Sequence, residues 1–142
     1  MLIKNKIILT IICFFIYFIF NLNLQADEFS ISASEIAIDT ANNIVIGKGN
    51  VEVTDKEGKL IKAKTVTYEK SKEFLVAEGS VEIIDTDGNS IKTDKLSYDK
   101  LKEIIVTHKN SKLVLKEGYN LTSDKFLYNN NEKIISADQN ST

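Results

Sequence analysis

The sequence after residue 26 predicts an all-β protein built from stacked copies of one repeat. The first observation is a spacing of 30 residues, at which glycines recur in one phase and tyrosines in another: Gly58, Gly88, Gly118, Tyr68, Tyr98 and Tyr128. The second is an alternation of apolar and polar residues, as in Val51–Thr54, which is typical of a half-buried strand. A repeat of this length favours an architecture in which neighbouring copies share one core.

The first 26 residues differ in kind from the rest. Lys4 and Lys6 precede an uncharged apolar run from Ile7 to Phe20, and Ala26 supplies a small residue before an acidic pair. A positive start, an apolar stretch and a small residue at the cleavage point are the features of a secretory signal peptide. Residues 1–26 are therefore predicted to form a signal helix that exports the chain. An uncleaved membrane tether is the alternative.

Residues 27–142 are predicted to form one domain, since their number suits a single core. The only cysteine, Cys13, precedes this domain, which therefore has no thiol for a disulfide, a zinc site or a nucleophile. All 18 basic residues of the chain are lysines, and they are outnumbered by 20 acidic residues. A nucleic-acid footprint needs a basic face, so the composition argues against nucleic acid as a partner.

Each copy has the pattern of consecutive strands. A short strand from Val51 leads through a turn at Lys56–Gly58 to a long strand, Leu60–Glu69, which is rich in β-branched residues. A polar break follows, and then a short apolar strand, Phe74–Val76. The later copies repeat this order, with turns that end at Gly88 and Gly118.

The long strand carries a recurrent slip in its apolar spacing. The apolar or small positions step by two, three and two residues, as in Ile61, Ala63, Val66 and Tyr68. Because side chains alternate between faces, a three-residue step keeps one face apolar only if a bulge resets the strand. We expect bulges near Lys64-Thr65, Asp94-Lys95 and Asp124-Lys125. Bends in phase would curve the sheet into a folded-over sandwich.

One copy alone buries too little apolar surface to offset the entropy of ordering its backbone, so the copies must stack. The ends of such a stack present strand edges with unpaired backbone groups. These edges are predicted docking surfaces.

Two sequence blocks resemble a known repeat. They are Ile61–Tyr68 and Ile91–Tyr98, and Gly79–Glu82 supplies the Gly-x-Val-Glu start of a copy. The blocks resemble the OstA-like repeat of the lipopolysaccharide-transport family, which includes LptA and the N-terminal periplasmic part of LptD. The resemblance covers residues 28–138. It implies a V-shaped, open-ended antiparallel β-jellyroll in the periplasm.

The resemblance also implies a function and a site. Family members carry lipopolysaccharide from the inner to the outer membrane by holding its acyl chains in an apolar groove. They pair edge to edge with other jellyroll proteins of the same transport system, and self-stacking is a further expectation. Carried over by position, the groove residues are Ile36, Ile38, Ile61, Val66, Tyr68, Phe74, Ile91, Leu96, Tyr98, Ile104, Phe126 and Tyr128.

Two other functions stay open at this point. One is a structural scaffold, such as the parallel β-solenoid of an adhesin, for which the repeat length is equally suitable. The other keeps the jellyroll but makes the chain a membrane-tethered relay resembling LptC. Plain core packing is also an alternative role for every residue in the predicted groove.

The remaining polar residues do not form a catalytic pattern. The sole histidine, His108, lies at a predicted strand end without a cysteine partner, so neither a triad nor a zinc site is expected. Four acidic residues fall on turns or outward strand positions in repeat phase: Glu52, Glu82, Asp85 and Asp87. Five strand lysines are predicted to be solvated, with lipid phosphates as the alternative partner: Lys62, Lys64, Lys92, Lys95 and Lys125. The sequence thus predicts a non-enzymatic protein without metal or cofactor.

Overall fold

The computed structural model describes residues 29–138, and the predicted signal helix or tether at residues 1–26 lies outside them. The described chain is almost entirely β-structure. Its strands are β1 (Phe29–Ser32), β2 (Glu35–Asp39), β3 (Ile44–Asp55), β4 (Leu60–Glu69), β5 (Phe74–Ile84), β6 (Ser90–Asp99), β7 (Ile104–His108), β8 (Ser111–Val114), β9 (Asn120–Ser123), β10 (Phe126–Asn129) and β11 (Ile134–Ala137). Within the described residues, no helix is long and apolar enough to cross a membrane.

Among residues 29–138 all strand pairs are antiparallel, and together they form one 11-stranded sheet. The long strands β3 to β6 each run through two layers. The lower layer contains β1, β8, β9 and the parts of the long strands at 51–55, 60–63, 81–84 and 90–93. The upper layer contains β2, β7, β10, β11 and the remaining parts. The predicted antiparallel jellyroll is therefore confirmed, and the parallel solenoid is wrong.

The two layers meet at a line of bends. At each bend two successive residues adopt the left-handed backbone conformation, in the pairs Gly49-Asn50, Gly79-Ser80 and Lys109-Asn110. The register shows where the extra residue lies: Lys48 pairs with Thr65 and Val51 with Ala63, so two residues of β3 face the single Lys64 of β4.

The bulges therefore recur at the predicted level of the sheet, but on the neighbouring strand. Gly79-Ser80 of β5 faces Asp94 of β6 in the same way. The expected bulge at Asp124-Lys125 is replaced by a break between β9 and β10. β4 and β6 show the slip in apolar spacing because each lies opposite a bulge in its partner strand and has no bulge itself.

The core lies between the two layers. The predicted two-three-two spacing is confirmed, because Ile61, Ala63, Val66 and Tyr68 are all buried. Residues that share the inner face join into one continuous hydrophobic cluster that includes both layers. A lone copy could not make this core, which is the physical reason that the copies stack.

Hydroxyl groups replace apolar side chains at the bend of the last copies. Thr107 accepts hydrogen bonds from the Ser111 hydroxyl at 2.7 Å and from the backbone N–H of Phe126 at 2.8 Å. Thr93 donates toward the carbonyl of Lys109 at 2.9 Å. The stretch that corresponds to β5 is divided here into β7 and β8. The hydroxyls therefore bind backbone groups that a continuous strand would pair with its neighbours.

Candidate functional site

An interlayer cavity opens between the two layers near the C-terminal end of the sheet. Its volume is about 410 Å³, which falls in the usual range for a small-molecule site. Seven of its lining residues are apolar: Ile83, Ile91, Leu113 and Leu115 from the lower side, and Ile105, Tyr128 and Ile135 from the upper side. Charged and amide side chains form the rest of the lining: Lys59, Asp85, Asp87, Asn89 and Lys133.

The position of the cavity follows from one repeat position that differs between copies. Phe29, Lys59 and Asn89 are separated by 30 residues each. They lie at the strand ends of the lower layer that are farthest from the bend. Tyr68, Tyr98 and Tyr128 hold the matching positions in the upper layer. The pairs are Phe29 with Tyr68, Lys59 with Tyr98, and Asn89 with Tyr128. The first two pairs close the side of the sandwich opposite the bend, and the third leaves it open.

In the first copy the closure is aromatic. The ring of Phe29 packs edge-on against Tyr68, with 4.9 Å between ring centroids, and against Tyr98 at 5.7 Å. Edge-to-face geometry suits the quadrupoles of aromatic rings, and all three side chains are buried. The interior at this level is filled by the protein itself.

In the second copy the closure is an ionic cluster, formed by Asp55, Glu57, Lys59, Tyr98, Lys100 and Glu103. The Nζ of Lys59 lies 3.4 Å from Asp55 Oδ2 and 4.9 Å from the centroid of the Tyr98 ring. The Tyr98 hydroxyl donates to Glu103 Oε2 at 2.9 Å. Lys100 then binds both Glu103 and Glu57, so the cluster joins turns of the two layers.

Burial and hydrogen bonding shift the ionisation of this cluster. Burial alone would raise the pKa of Glu103, but hydrogen bonds from Lys100, Tyr98 and Asn130 hold that pKa below its usual value. Burial alone would lower the pKa of Lys100, but hydrogen bonds to Glu103 and Glu57 raise it instead. Burial, followed by the hydrogen bond to Glu103, raises the pKa of the Tyr98 hydroxyl. The cluster therefore keeps Lys100 and Glu103 charged and Tyr98 neutral at pH 7.

In the third copy the corresponding side chains turn back into their own layers. The amide of Asn89 donates to Asp85 at 2.7 Å and its oxygen accepts from the backbone of Lys116 at 3.1 Å. On the upper side, Tyr128 and Lys133 both donate to Asn130, at 3.1 and 3.0 Å. The interlayer cavity occupies the space that Phe29 and Lys59 fill in the preceding copies.

The predicted groove residues fall into four groups. Seven are inward and buried: Ile61, Val66, Tyr68, Ile91, Leu96, Tyr98 and Phe126. Of these only Ile91 reaches the interlayer cavity, where Tyr128 joins it. Ile36 and Ile38 lie opposite the inward positions Gly47 and Val45, but they are exposed at the sheet edge.

The expectation that Phe74 and Ile104 face the interior is wrong. Phe74 pairs with Glu69 and Asp99 on the outer face, and Ile104 also pairs with Asp99. The adjacent Leu75 and Ile105 point inward instead. Both short strands begin with consecutive apolar residues, so alternation could not decide which residue faces inward.

Five aliphatic residues of the cavity were missed: Ile83, Ile105, Leu113, Leu115 and Ile135. The 30-residue repeat predicts an inward orientation for four of them. Ile83 and Leu113 continue the inward position of Val53, and Ile105 and Ile135 continue that of Val45 and Leu75.

Among the strand lysines predicted to be solvated, three form cross-strand ion pairs on the outer face. Lys62 pairs with Glu52 at 3.2 Å, Lys92 with Glu82 at 3.4 Å, and Lys95 with Glu78 at 2.8 Å. Lys64 and Lys125 are exposed near the bend.

The other polar candidates also have structural surroundings. Asp85 and Asp87 occupy a turn at the cavity mouth. His108 is half-buried beside Lys95, and burial, followed by the charges of Lys125 and Lys95, lowers its pKa. Among residues 29–138, no group of three or more histidine, cysteine or acidic side chains could hold a metal ion.

Comparison with solved structures shows a shared fold. The chain is similar to LptH from Pseudomonas aeruginosa, described as the LptA homologous periplasmic component of the conserved lipopolysaccharide transport device. The TM-score is 0.69, and the match covers 78% of this chain and 84% of that chain at 19% sequence identity. No protein-family model and no curated protein matches the sequence. The predicted resemblance is therefore confirmed as a likeness of fold.

Proposed function

We propose that this chain is a periplasmic carrier of lipopolysaccharide, which binds acyl chains of the lipid non-covalently in the interlayer cavity. The observation that supports this proposal is a largely apolar cavity between the layers of a fold shared with a component of a lipopolysaccharide transport device. Each methylene that moves from water into such a cavity contributes about 0.8 kcal/mol. Several methylenes therefore suffice for binding without a specific polar contact.

The charged lining suits an amphipathic ligand. The exposed Lys133 carries positive charge at the cavity, and Asp85 and Asp87 carry negative charge at its mouth. An acyl tail inside the cavity would leave a polar head group at this rim, where water and charged side chains solvate it. An entirely apolar ligand would not use the rim.

Strand edges support a second part of the proposal, which is end-to-end pairing with other jellyroll domains of the transport system. β2 forms one edge of the upper layer and β11 the other, and all residues of both strands are exposed. Their inner faces carry Ile36, Ile38 and Ile135, so a head-to-tail contact would continue the apolar wall from one molecule to the next. Such a contact is heterologous, and a heterologous contact whose rotation does not close a ring generates an extended assembly.

A photocrosslinking experiment in cells tests the carrier. Probes would replace Leu115, Tyr128 and Ile135, which line the cavity without being fully packed. Matched control probes would replace Lys62 and Lys92 on the outer face. Adducts that contain lipopolysaccharide at the cavity positions, but not at the controls, would support the proposal. Equal labelling of both sets, or no lipid adduct at the cavity, would overturn it.

The membrane-tethered relay remains the alternative for the N-terminal segment. N-terminal sequencing of the exported protein separates the two, because a start at Asp27 requires cleavage and a start at Met1 requires an intact tether.

A further inference from the structure

We infer that Lys59 forms the closed end of the interlayer cavity and thereby limits the length of the acyl chain that the protein binds. This inference rests on the proposed function, since it assigns a length limit to the same site. It makes Lys59 a specificity-determining residue.

Lys59 lies at the boundary between empty and filled interior. Its side chain lines the cavity, yet it is only 7% exposed. On its other side the interior is packed, with Val53, Leu75 and Tyr98 all fully buried. A tail that extends past Lys59 has no space to occupy unless the side chain moves.

The lysine is held in place by several contacts. Its backbone N–H donates to Asp55 Oδ1 at 2.8 Å, and its Nζ reaches Asp55 Oδ2 and the Tyr98 hydroxyl. Moving the ammonium group aside would leave Asp55 as a buried carboxylate without its cation, which is costly. An incoming methylene contributes far less than this cost, so the tail stops at the lysine.

The next copy shows what the same position does without a lysine. Asn89 occupies the equivalent position, and its shorter side chain binds Asp85 within the lower layer. The cavity lies beside it. The difference between a lysine and an asparagine at one repeat position therefore coincides with the difference between closed and open interior.

Two reciprocal substitutions test the inference in the exported protein. Lys59→Asn copies the native Asp85–Asn89 pair into the preceding copy and is expected to lengthen the cavity. Asn89→Lys copies the native closure into the third copy, with Asp85 and Tyr128 as partners, and is expected to fill it. Lys62→Asn and Thr54→Lys are matched controls for charge, because both residues lie on the outer face.

Calorimetric titration with decanoate, laurate, myristate and palmitate gives the readout. For the unmodified chain, affinity should rise on the order of tenfold per two added methylenes and then level off. In Lys59→Asn the rise should continue for at least one further member of the series. In Asn89→Lys the affinity for every member should fall on the order of tenfold or more, and the two controls should match the unmodified chain.

The outcomes separate the inference from the proposed function. If the unmodified chain binds none of the fatty acids, acyl-chain binding fails and the length limit fails with it. If it binds them, and folded Lys59→Asn levels off at the same length, the length limit alone is overturned. Should Lys59→Asn fail to fold, Asn89→Lys decides: unchanged affinity overturns the inference, and a tenfold loss supports it.

Discussion

The Nζ of Lys59 lies 3.2 Å from the hydroxyl of Tyr98, so one hydrogen bond joins the lower layer to the upper layer on the side opposite the bend. The two residues are far apart in sequence, and both are buried. Thirty residues later, Asn89 and Tyr128 bind within their own layers, and the interlayer cavity lies between them. The interior is therefore closed in the copy that has this crossing contact and open in the next copy, which lacks it.

The ionic cluster predicts a loss of stability in acid. The pKa of Glu103 is lowered in the folded chain, so the folded state binds a proton there less tightly than the unfolded state. The contribution is complete above the unfolded value of about 4.3 and is lost as pH falls through the lower folded pKa. Glu103→Gln should lower the free energy of unfolding by about 2 kcal/mol at pH 7. Denaturant melts across pH should show this difference shrinking below about pH 4.

Glu78→Gln is the control for this experiment, because Glu78 pairs with Lys95 at an exposed site and should contribute at most about 1 kcal/mol. His108 titrates in the unmodified chain and in both variants, so its contribution to the pH dependence of stability cancels in the comparison. A constant difference between Glu103→Gln and the unmodified chain down to pH 3 would contradict a charged Glu103 in the folded state.

Leu96 tests the predicted core. It is completely buried on the inner face of β6, and Leu96→Ala should lower the free energy of unfolding by about 2 to 5 kcal/mol, through lost burial and a cavity. Leu101 is 68% exposed in a nearby turn, so Leu101→Ala should change the free energy of unfolding by less than about 0.5 kcal/mol. Urea denaturation of both variants measures the contrast. Similar losses in the two variants would show that Leu96 does not lie in a packed core.

The bend tests the backbone conformation. Gly79 has a φ of +82°, and a Cβ placed there would lie 3.0 Å from Lys64 side-chain atoms. Gly79→Ala should therefore destabilise the fold by about 1 to 2 kcal/mol. Lys109 occupies the equivalent position of the next copy with a φ of 64°, so Lys109→Gly should stabilise it, by up to about 1 kcal/mol. Thermal melts that shift in the same direction for both variants would refute equivalent bends.

The hydroxyl of Thr107 tests the broken strand. Thr107→Val keeps the shape of the side chain but removes the acceptor for the Phe126 N–H and the partner of Ser111. A buried donor without a partner costs about 1 to 3 kcal/mol, and equilibrium unfolding should show a loss of this size. Thr54→Val, on the outer face, should be nearly neutral. A neutral Thr107→Val would mean that water replaces the hydroxyl.

Much of the fold was predictable because the repeat samples the same environment several times. The inward positions Ile61, Val66 and Tyr68 follow from alternation together with the spacing slip, and their burial confirms both. The bulge was placed on the wrong strand because a slip in one strand reports only a mismatch with its neighbour. The two strands can be told apart by the glycines, since Gly49 and Gly79 tolerate the left-handed conformation that the bulge needs.

The site was less predictable, because it depends on a difference between copies and not on what they share. Carrying the groove over by position selected the most regular residues, such as Leu96 and Phe126, and these fill the core themselves. The cavity instead follows the exchange of Lys59 for Asn89, which a search for similarity passes over. Contacts between residues distant in sequence, such as Lys59 with Tyr98, become visible only once the two layers face each other.

Intermolecular nuclear Overhauser effects between bound myristate and methyl-labelled protein test the central claim most directly. The account predicts contacts from the acyl methylenes to Leu113, Leu115 and Ile135, which line the interlayer cavity. Contacts confined to exposed residues such as Leu101 and Ile38, with none to the cavity methyl groups, would contradict it.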